Sequence, residues 1–108
     1  MIYELRVYTA VSGRLPDVLA RFRDHTLPIW ERLGIKQLGF WTTVTGPDSN
    51  ELTYILVWES LADRESKWGQ FARDPVWVKA RQDSESNGAI VARMANSFLA
   101  PTDFSPAK

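Results

Sequence analysis

Tyr3-Glu4-Leu5-Arg6-Val7-Tyr8 decides the fold, because its residues alternate strictly. Side chains on a β-strand have a period of two. Tyr3, Leu5 and Val7 therefore share one face, and Glu4, Arg6 and Tyr8 share the other. The first triplet reads as ordinary core. The second sets an acid, a base and a phenol in a row, which suits a sheet face lining a wet pocket or a subunit interface. The strand runs over residues 2–10 and stops at Ser12-Gly13.

Beyond this turn the apolar positions Leu15, Val18, Leu19, Phe22, Ile29, Trp30 and Leu33 recur at spacings of three and four, the mark of one helical face. Ser12 is the expected N-cap, and Pro16 suits the first turn, where a missing N–H costs nothing. Pro28 removes a backbone hydrogen bond inside this helix and crowds the Asp24 carbonyl, so a kink or break is expected near 24–28. Gly34 is a natural stop. Residues 35–45 read as a second strand, with Lys36, Leu38, Phe40, Thr42 and Val44 opposite Ile35, Gln37, Gly39, Trp41 and Thr43. The loop 46–50 (Gly-Pro-Asp-Ser-Asn) leads to a third strand, 51–59, as a hairpin. Here Leu52, Tyr54, Leu56 and Trp58 share a face.

Ser60 to Asp63 resembles a capping box, and a helix follows to about Arg73. Its buried side is expected at Leu61, Trp68, Phe71 and Ala72, with Asp63, Arg64, Glu65 and Lys67 as solvated surface. Asp74-Pro75 caps a short helix, 75–86, that buries some of Val76, Trp77 and Ala80. Residues 89–99 form the fourth strand. The chain thus divides into one domain, 1–100, and a tail, 101–108.

The order β-α-β-β-α-β implies an α+β, ferredoxin-like fold: a four-stranded antiparallel sheet with its helices on one face. The other face is then uncovered. By alternation alone it draws its residues from Glu4, Arg6, Tyr8, Gln37, Trp41, Tyr54, Trp58 and Arg93, a set that a bulge would partly flip. An open sheet face rich in Trp and Tyr marks a partner or a ligand.

Composition narrows the classes of function. One domain of 108 residues buries about 65% of its unfolded surface, enough for a core without staples. The absence of cysteine excludes disulfides, thiolate metal sites and cysteine nucleophiles, and a single histidine, His25, excludes a multi-histidine metal centre. No cofactor is implied. Thirteen basic residues balance thirteen acidic ones, which argues against a nucleic-acid partner held through its phosphates. RNA-recognition domains share the element order, but strand 51–59 carries two acids and no basic-glycine-aromatic signature. No window has the roughly 18 apolar residues of a membrane span. With no signal-peptide pattern, the expected location is cytoplasmic. Five tryptophans are an excess that suits interfaces and ligand sites.

Several segments also resemble one family. Tyr3-Glu4-Leu5-Arg6-Val7-Tyr8 is similar to the opening strand of NIPSNAP proteins. Gly39-Phe40-Trp41, the aliphatic third strand ending Trp58-Glu59-Ser60, Asp74-Pro75-Val76-Trp77, and the closing run from Phe98 to Pro106 (FLAPTDFSP) resemble the same family in the same order. The resemblance spans nearly the whole chain. It implies a homodimeric α/β barrel, two ferredoxin-like sheets closing around a cavity, and no particular reaction.

Two functions compete. One is a dimer that binds a small, partly apolar molecule on the sheet face, with a cofactor-free enzyme as one form of it. Its ligand-binding set is Glu4, Arg6, Tyr8, Gln37, Trp41, Tyr54, Trp58, Arg93 and His25. Each member has a bland counterpart: Glu4 and Arg6 could pair with each other or with Arg93, the aromatics could simply pack the dimer, and His25 could be a half-buried structural residue. Cofactor-free oxygenases on similar barrels use an Asn-Trp-His set. Here the histidine lies on the first helix and no asparagine falls on the expected face of the first strand, which counts against that chemistry. The other function is a non-catalytic protein-interaction module working through the dimer or its aromatic surface.

Overall fold

The computed structural model describes every residue from Met1 to Lys108. Strand β1 (Ile2–Ala10) is followed by α1 (Leu15–Arg21), a π-helical turn (Phe22–Thr26) and α2 (Leu27–Leu33). Then come β2 (Lys36–Thr42), β3 (Glu51–Trp58), α3 (Leu61–Arg73), α4 (Pro75–Ser84) and β4 (Val91–Leu99). The strands form one antiparallel sheet in the order β2-β3-β1-β4. This is the ferredoxin-like arrangement, with the two central strands coming from the two halves of the chain.

The first helical stretch shows how Pro28 is accommodated. Proline cannot donate to the Asp24 carbonyl, and the chain widens ahead of it into the π turn, where the Leu27 N–H bonds the Phe22 carbonyl. The hydroxyl of Thr26 donates to the Arg21 carbonyl at 3.4 Å. The perturbation expected near 24–28 thus takes the form of a bulge, with the helix continuing through it. Gly34 ends α2 at φ 77°, the left-handed conformation that favours glycine. Ser12 does not cap α1; Arg14 holds the N-cap position without a side-chain bond. Half of the capping box at α3 forms: Ser60 Oγ accepts from the Asp63 N–H at 3.1 Å, while the Asp63 carboxylate accepts from the Glu59 N–H, one residue before the cap, at 3.1 Å.

All helices pack on one face of the sheet, but on the opposite face from the one expected. Antiparallel partners directly across from one another share a face. Arg6 pairs with Tyr54, Glu4 with Leu56 and Tyr8 with Leu52. Leu52, Tyr54, Leu56 and Trp58 are buried together with Val18, Phe22, Ile29, Trp30 and Phe71 from the helices. Glu4, Arg6, Tyr8, Tyr54 and Trp58 thus lie beneath the helices, not on the open face. Alternation groups them correctly but carries no sign to tell one face from the other.

The open face is instead the apolar set. Tyr3, Leu5 and Val7 on β1 stand beside Thr53, Ile55 and Val57 on β3, all half-buried in the single chain. On β2 a bulge between Gln37 and Gly39 splits the strand's alternation. Gln37 and Phe40 oppose Leu56 and Tyr54 on the helix side, whereas Gly39 and Trp41 oppose Ile55 and Thr53 on the open side. Leu38 and Trp41 remain 53% and 49% exposed. The tail borders this face: Pro101, Thr102, Ser105 and Ala107 line a groove with Tyr3, Leu38, Ile55 and Leu99. The molecule is a slab of two layers, only 18 Å along its shortest axis. No helix is long and apolar enough to cross a membrane.

Candidate functional site

The polar row of β1 is the centre of a buried network. Glu4 is 0% exposed, and five N–H donors surround its carboxylate. Its Oε2 accepts from Arg6 at 2.8 Å, Asn96 Nδ2 at 2.9 Å and Arg64 at 3.3 Å. Its Oε1 accepts from Trp58 Nε1 at 3.1 Å and from Arg64 Nε at 3.3 Å. A carboxylate buried this deeply is tolerable only when paired and saturated with donors. Burial alone would raise its pKa. The bonds from Asn96, Arg6 and Arg64 outweigh that and hold the carboxyl below its ordinary value.

Arg6, 3% exposed, is the second hub. Besides Glu4, it donates from Nε to the Tyr54 hydroxyl at 2.7 Å and from a terminal nitrogen to Tyr8 at 3.4 Å. Its guanidinium lies 4.5 Å from the ring centre of Trp68 on α3. Burial pulls against this charge, but the two phenols and Glu4 outweigh it and leave the guanidinium above its ordinary pKa. Burial, reinforced by Tyr8, raises the Tyr54 phenol well above the usual tyrosine value.

One side of this network opens into a cleft of about 400 Å³ between sheet and helices. Arg6 and Tyr8 form its floor. Trp68 and Phe71 of α3, Trp77 and Arg81 of α4, Arg21 of α1 and Met94 of β4 are among its walls, with Glu85 its one carboxylate. A larger groove of about 630 Å³ runs along α2 and the start of β2, but the charged residues lining it, Arg23, Glu31 and Lys36, are all exposed. The smaller cleft backs onto buried arginines, and this makes it the candidate site.

The sequence-expected residues fall in four places. Glu4, Arg6, Tyr8, Tyr54 and Trp58 come together, directly or through Glu4 and Arg6. Trp41 and Arg93 point to the open side, and Arg93 reaches only Asp48, at 3.9 Å. Gln37 lies on the helix side at the sheet edge and bonds the Ile35 carbonyl. His25 is exposed and lines a separate groove with Asp17, Asp24 and Asp83. These four residues are not part of the cleft.

Arg64 was expected on solvated surface, yet its side chain is 15% exposed and bound to Glu4. An acidic residue on a strand facing an arginine on a helix carries no periodicity of its own. The β4 side chain that reaches Glu4 is Asn96, not Arg93. Alternation along β4 places it opposite Arg6, and that register was the only available signal.

A family model settles the chain's relationships: NIPSNAP matches residues 3–106. The chain belongs to the NIPSNAP family. A NIPSNAP family protein from Agrobacterium tumefaciens superposes with a TM-score of 0.87 at 27% identity, covering 99% of this chain and 98% of that one. A second NIPSNAP family protein from the same bacterium, of unknown function, gives 0.84 at 28%, covering 98% and 92%. A putative antibiotic biosynthesis monooxygenase from Nitrosomonas europaea gives 0.65 at 7% identity, covering 94% and 98%, and so shares the fold alone. No curated protein matches. This NIPSNAP protein therefore has an established fold and family, and its site is read from its own geometry. No group of three or more His, Asp or Glu is placed to share a metal ion.

Proposed function

We propose that this NIPSNAP protein is a homodimer that binds a small, partly apolar molecule, one per protomer, in the cleft between helices and sheet. One observation carries the reading. Arg6, buried and braced by Glu4, Tyr54 and Tyr8, lines a cleft whose other walls are mostly aromatic or aliphatic. Ligand sites combine a large apolar lining with a few fixed polar groups in this way. Arg6 and Tyr8 supply donors toward the cleft, and their orientation is set from behind before any ligand arrives, which lowers the cost of binding.

The second layer of the proposal concerns the open face. Leu5, Val7, Ile55 and Val57 form an apolar strip across the two central strands. A second copy placed sheet to sheet would cover it about 10 Å away, and a two-fold axis makes an identical face its own complement. The two clefts would then lie on the outer sides of the paired sheets.

Native mass spectrometry of the purified protein, followed by the same sample denatured, tests both layers. A dimer carrying excess mass that is lost on denaturation supports the reading and supplies the ligand's mass. A bare dimer that takes up no member of a small-molecule library leaves the interaction module as the better account. A monomer removes the paired sheets.

A further inference from the structure

Arg21 adds what the network around Glu4 does not explain. It is 6% exposed and lines the cleft, yet its Nε–H has no hydrogen-bond partner. A buried donor without a partner is uncommon and calls for an explanation. Its remaining contacts are weak. One terminal nitrogen donates to Ser84 Oγ at 3.2 Å, Glu85 stands 3.9 Å away, and the guanidinium lies 5.3 Å from the ring centre of Trp77. The other side of Arg21 borders the groove containing Asp17, Asp24 and Asp83, and it forms an ion pair with none of them.

The charges around the cleft do not balance either. Arg6, Arg21 and Arg81 line it and Arg64 sits behind it, with Glu4 and Glu85 as the only carboxylates among them or at the cleft wall. The other partner of Arg64, Glu65, lies out at the surface. Three guanidinium groups thus line the cleft against one carboxylate, Glu85, in a chain whose overall charge is zero. Burial works against the Arg21 charge and lowers its pKa, as expected of a cation awaiting a counter-ion.

We propose that the cleft takes a small monocarboxylate with a flat or aliphatic apolar body, its carboxylate received by Arg21 with Arg81 and Arg6 and its body lying against Trp68 and Trp77. This rests on the cleft being the binding site. Guanidinium groups receive carboxylates through paired N–H donors. The aromatic and aliphatic lining disfavours a compact, heavily hydrated ion such as inorganic phosphate.

Three acid and amide pairs test this: 1-naphthoate with 1-naphthamide, phenylacetate with phenylacetamide, and decanoate with decanamide. Each is titrated into ¹⁵N-labelled protein, with the Arg21 Nε–Hε signal assigned through Arg21→Lys. At least one acid should shift that signal and bind about tenfold or more tightly than its amide. Arg21→Gln should weaken the acid by a similar factor and leave the amide unchanged. Should Arg21→Gln fail to fold, Arg81→Gln, whose side chain is 63% exposed, carries the same comparison. An acid and its amide binding equally, insensitive to these substitutions, would overturn the carboxylate while leaving the cleft as a site. Displacement by inorganic phosphate alone would overturn the apolar body. Failure of all three pairs to bind, with no co-purified mass, would overturn both this inference and the site it rests on.

Discussion

Replacing Glu4 by Gln removes one charge from the most deeply buried polar network while nearly preserving shape. The amide oxygen could still accept from Trp58 and Arg64, the partners of Oε1. The amide nitrogen would then face Arg6 at 2.8 Å, Asn96 at 2.9 Å and Arg64 at 3.3 Å, all donors. Three hydrogen bonds become donor–donor contacts, and Arg6 is left buried without its counter-ion. Breaking a buried pair on one side costs roughly 3–5 kcal/mol. Retained shape favours the lower end, so about 3 kcal/mol is expected. For a domain of this length that corresponds to a drop of roughly 10–15 °C in Tm. Urea unfolding followed by tryptophan emission, at one fixed protein concentration, reads the change as a shift in midpoint with little change in slope. The pH dependence supplies a second reading. Glu4 titrates below its unfolded value of 4.5, so its contribution is complete above that value and is lost as pH falls through the lower, folded pKa. The gap between wild type and Glu4→Gln should be full near pH 7 and close on acidification. Glu4→Gln/Arg6→Met, which removes both charges, should recover part of the loss. A cost below about 1 kcal/mol at pH 7, or a gap that stays constant down to pH 3, would refute the idea that the Glu4 charge holds Arg6 in place.

Leu5→Glu puts a charge at the middle of the open apolar face. Losing one leucine's burial, about 2 kcal/mol, twice over in a symmetric pair should raise the dimer Kd by about 1,000-fold. Sedimentation velocity checks this, with far-UV circular dichroism unchanged, and a variant that stays dimeric would contradict sheet-to-sheet pairing. A Cβ at Gly39 would sit 2.8 Å from the tip of the Trp41 ring, which covers that glycine. The ring's far end can swing into solvent, so Gly39→Ala should red-shift part of the tryptophan emission while changing stability by less than about 1 kcal/mol; unaltered emission would show that the ring does not rest there. Asp74→Ala removes the cap bonds to the Val76 and Trp77 N–H groups and the 2.7 Å bond from Arg32. It should lower Tm and speed amide exchange in the first turn of α4. Arg32 in the first place, with those N–H groups, holds the Asp74 carboxyl below its ordinary value. The difference from wild type should therefore fade as pH drops through the lowered pKa.

Local signals made most elements legible. β1 spans residues 2–10 as its alternation requires, α3 ends at Arg73, and Asp74-Pro75 opens α4 with the side-chain cap its residue types promise. Pro28 marked a perturbed turn, although it took the form of a bulge rather than a break. β2 was less legible. The bulge at Gln37–Gly39 changes which residues share a face, and it depends on pairing with β3 rather than on any property of β2 alone. Of the candidate site, alternation alone grouped Glu4 with Arg6 and Tyr8, and Tyr54 with Trp58. Arg21, Arg64, Trp68, Trp77, Arg81 and Asn96 complete it only because four other elements converge on β1. His25, the single histidine, lies in a separate groove away from the cleft.

The sequence by itself determined the strand and helix periods, the βαββαβ order, the grouping of residues onto shared faces of β1 and β3, and the family. Tertiary structure decided which face the helices cover. A period of two separates two faces but is symmetric between them, and the usual rule that apolar residues go inside pointed to Tyr3, Leu5 and Val7. The helices instead close over Glu4, Arg6 and Tyr8. That burial is tolerable because the charges neutralise one another and find donors on α3, β3 and β4. Such compensation exists only after distant segments meet.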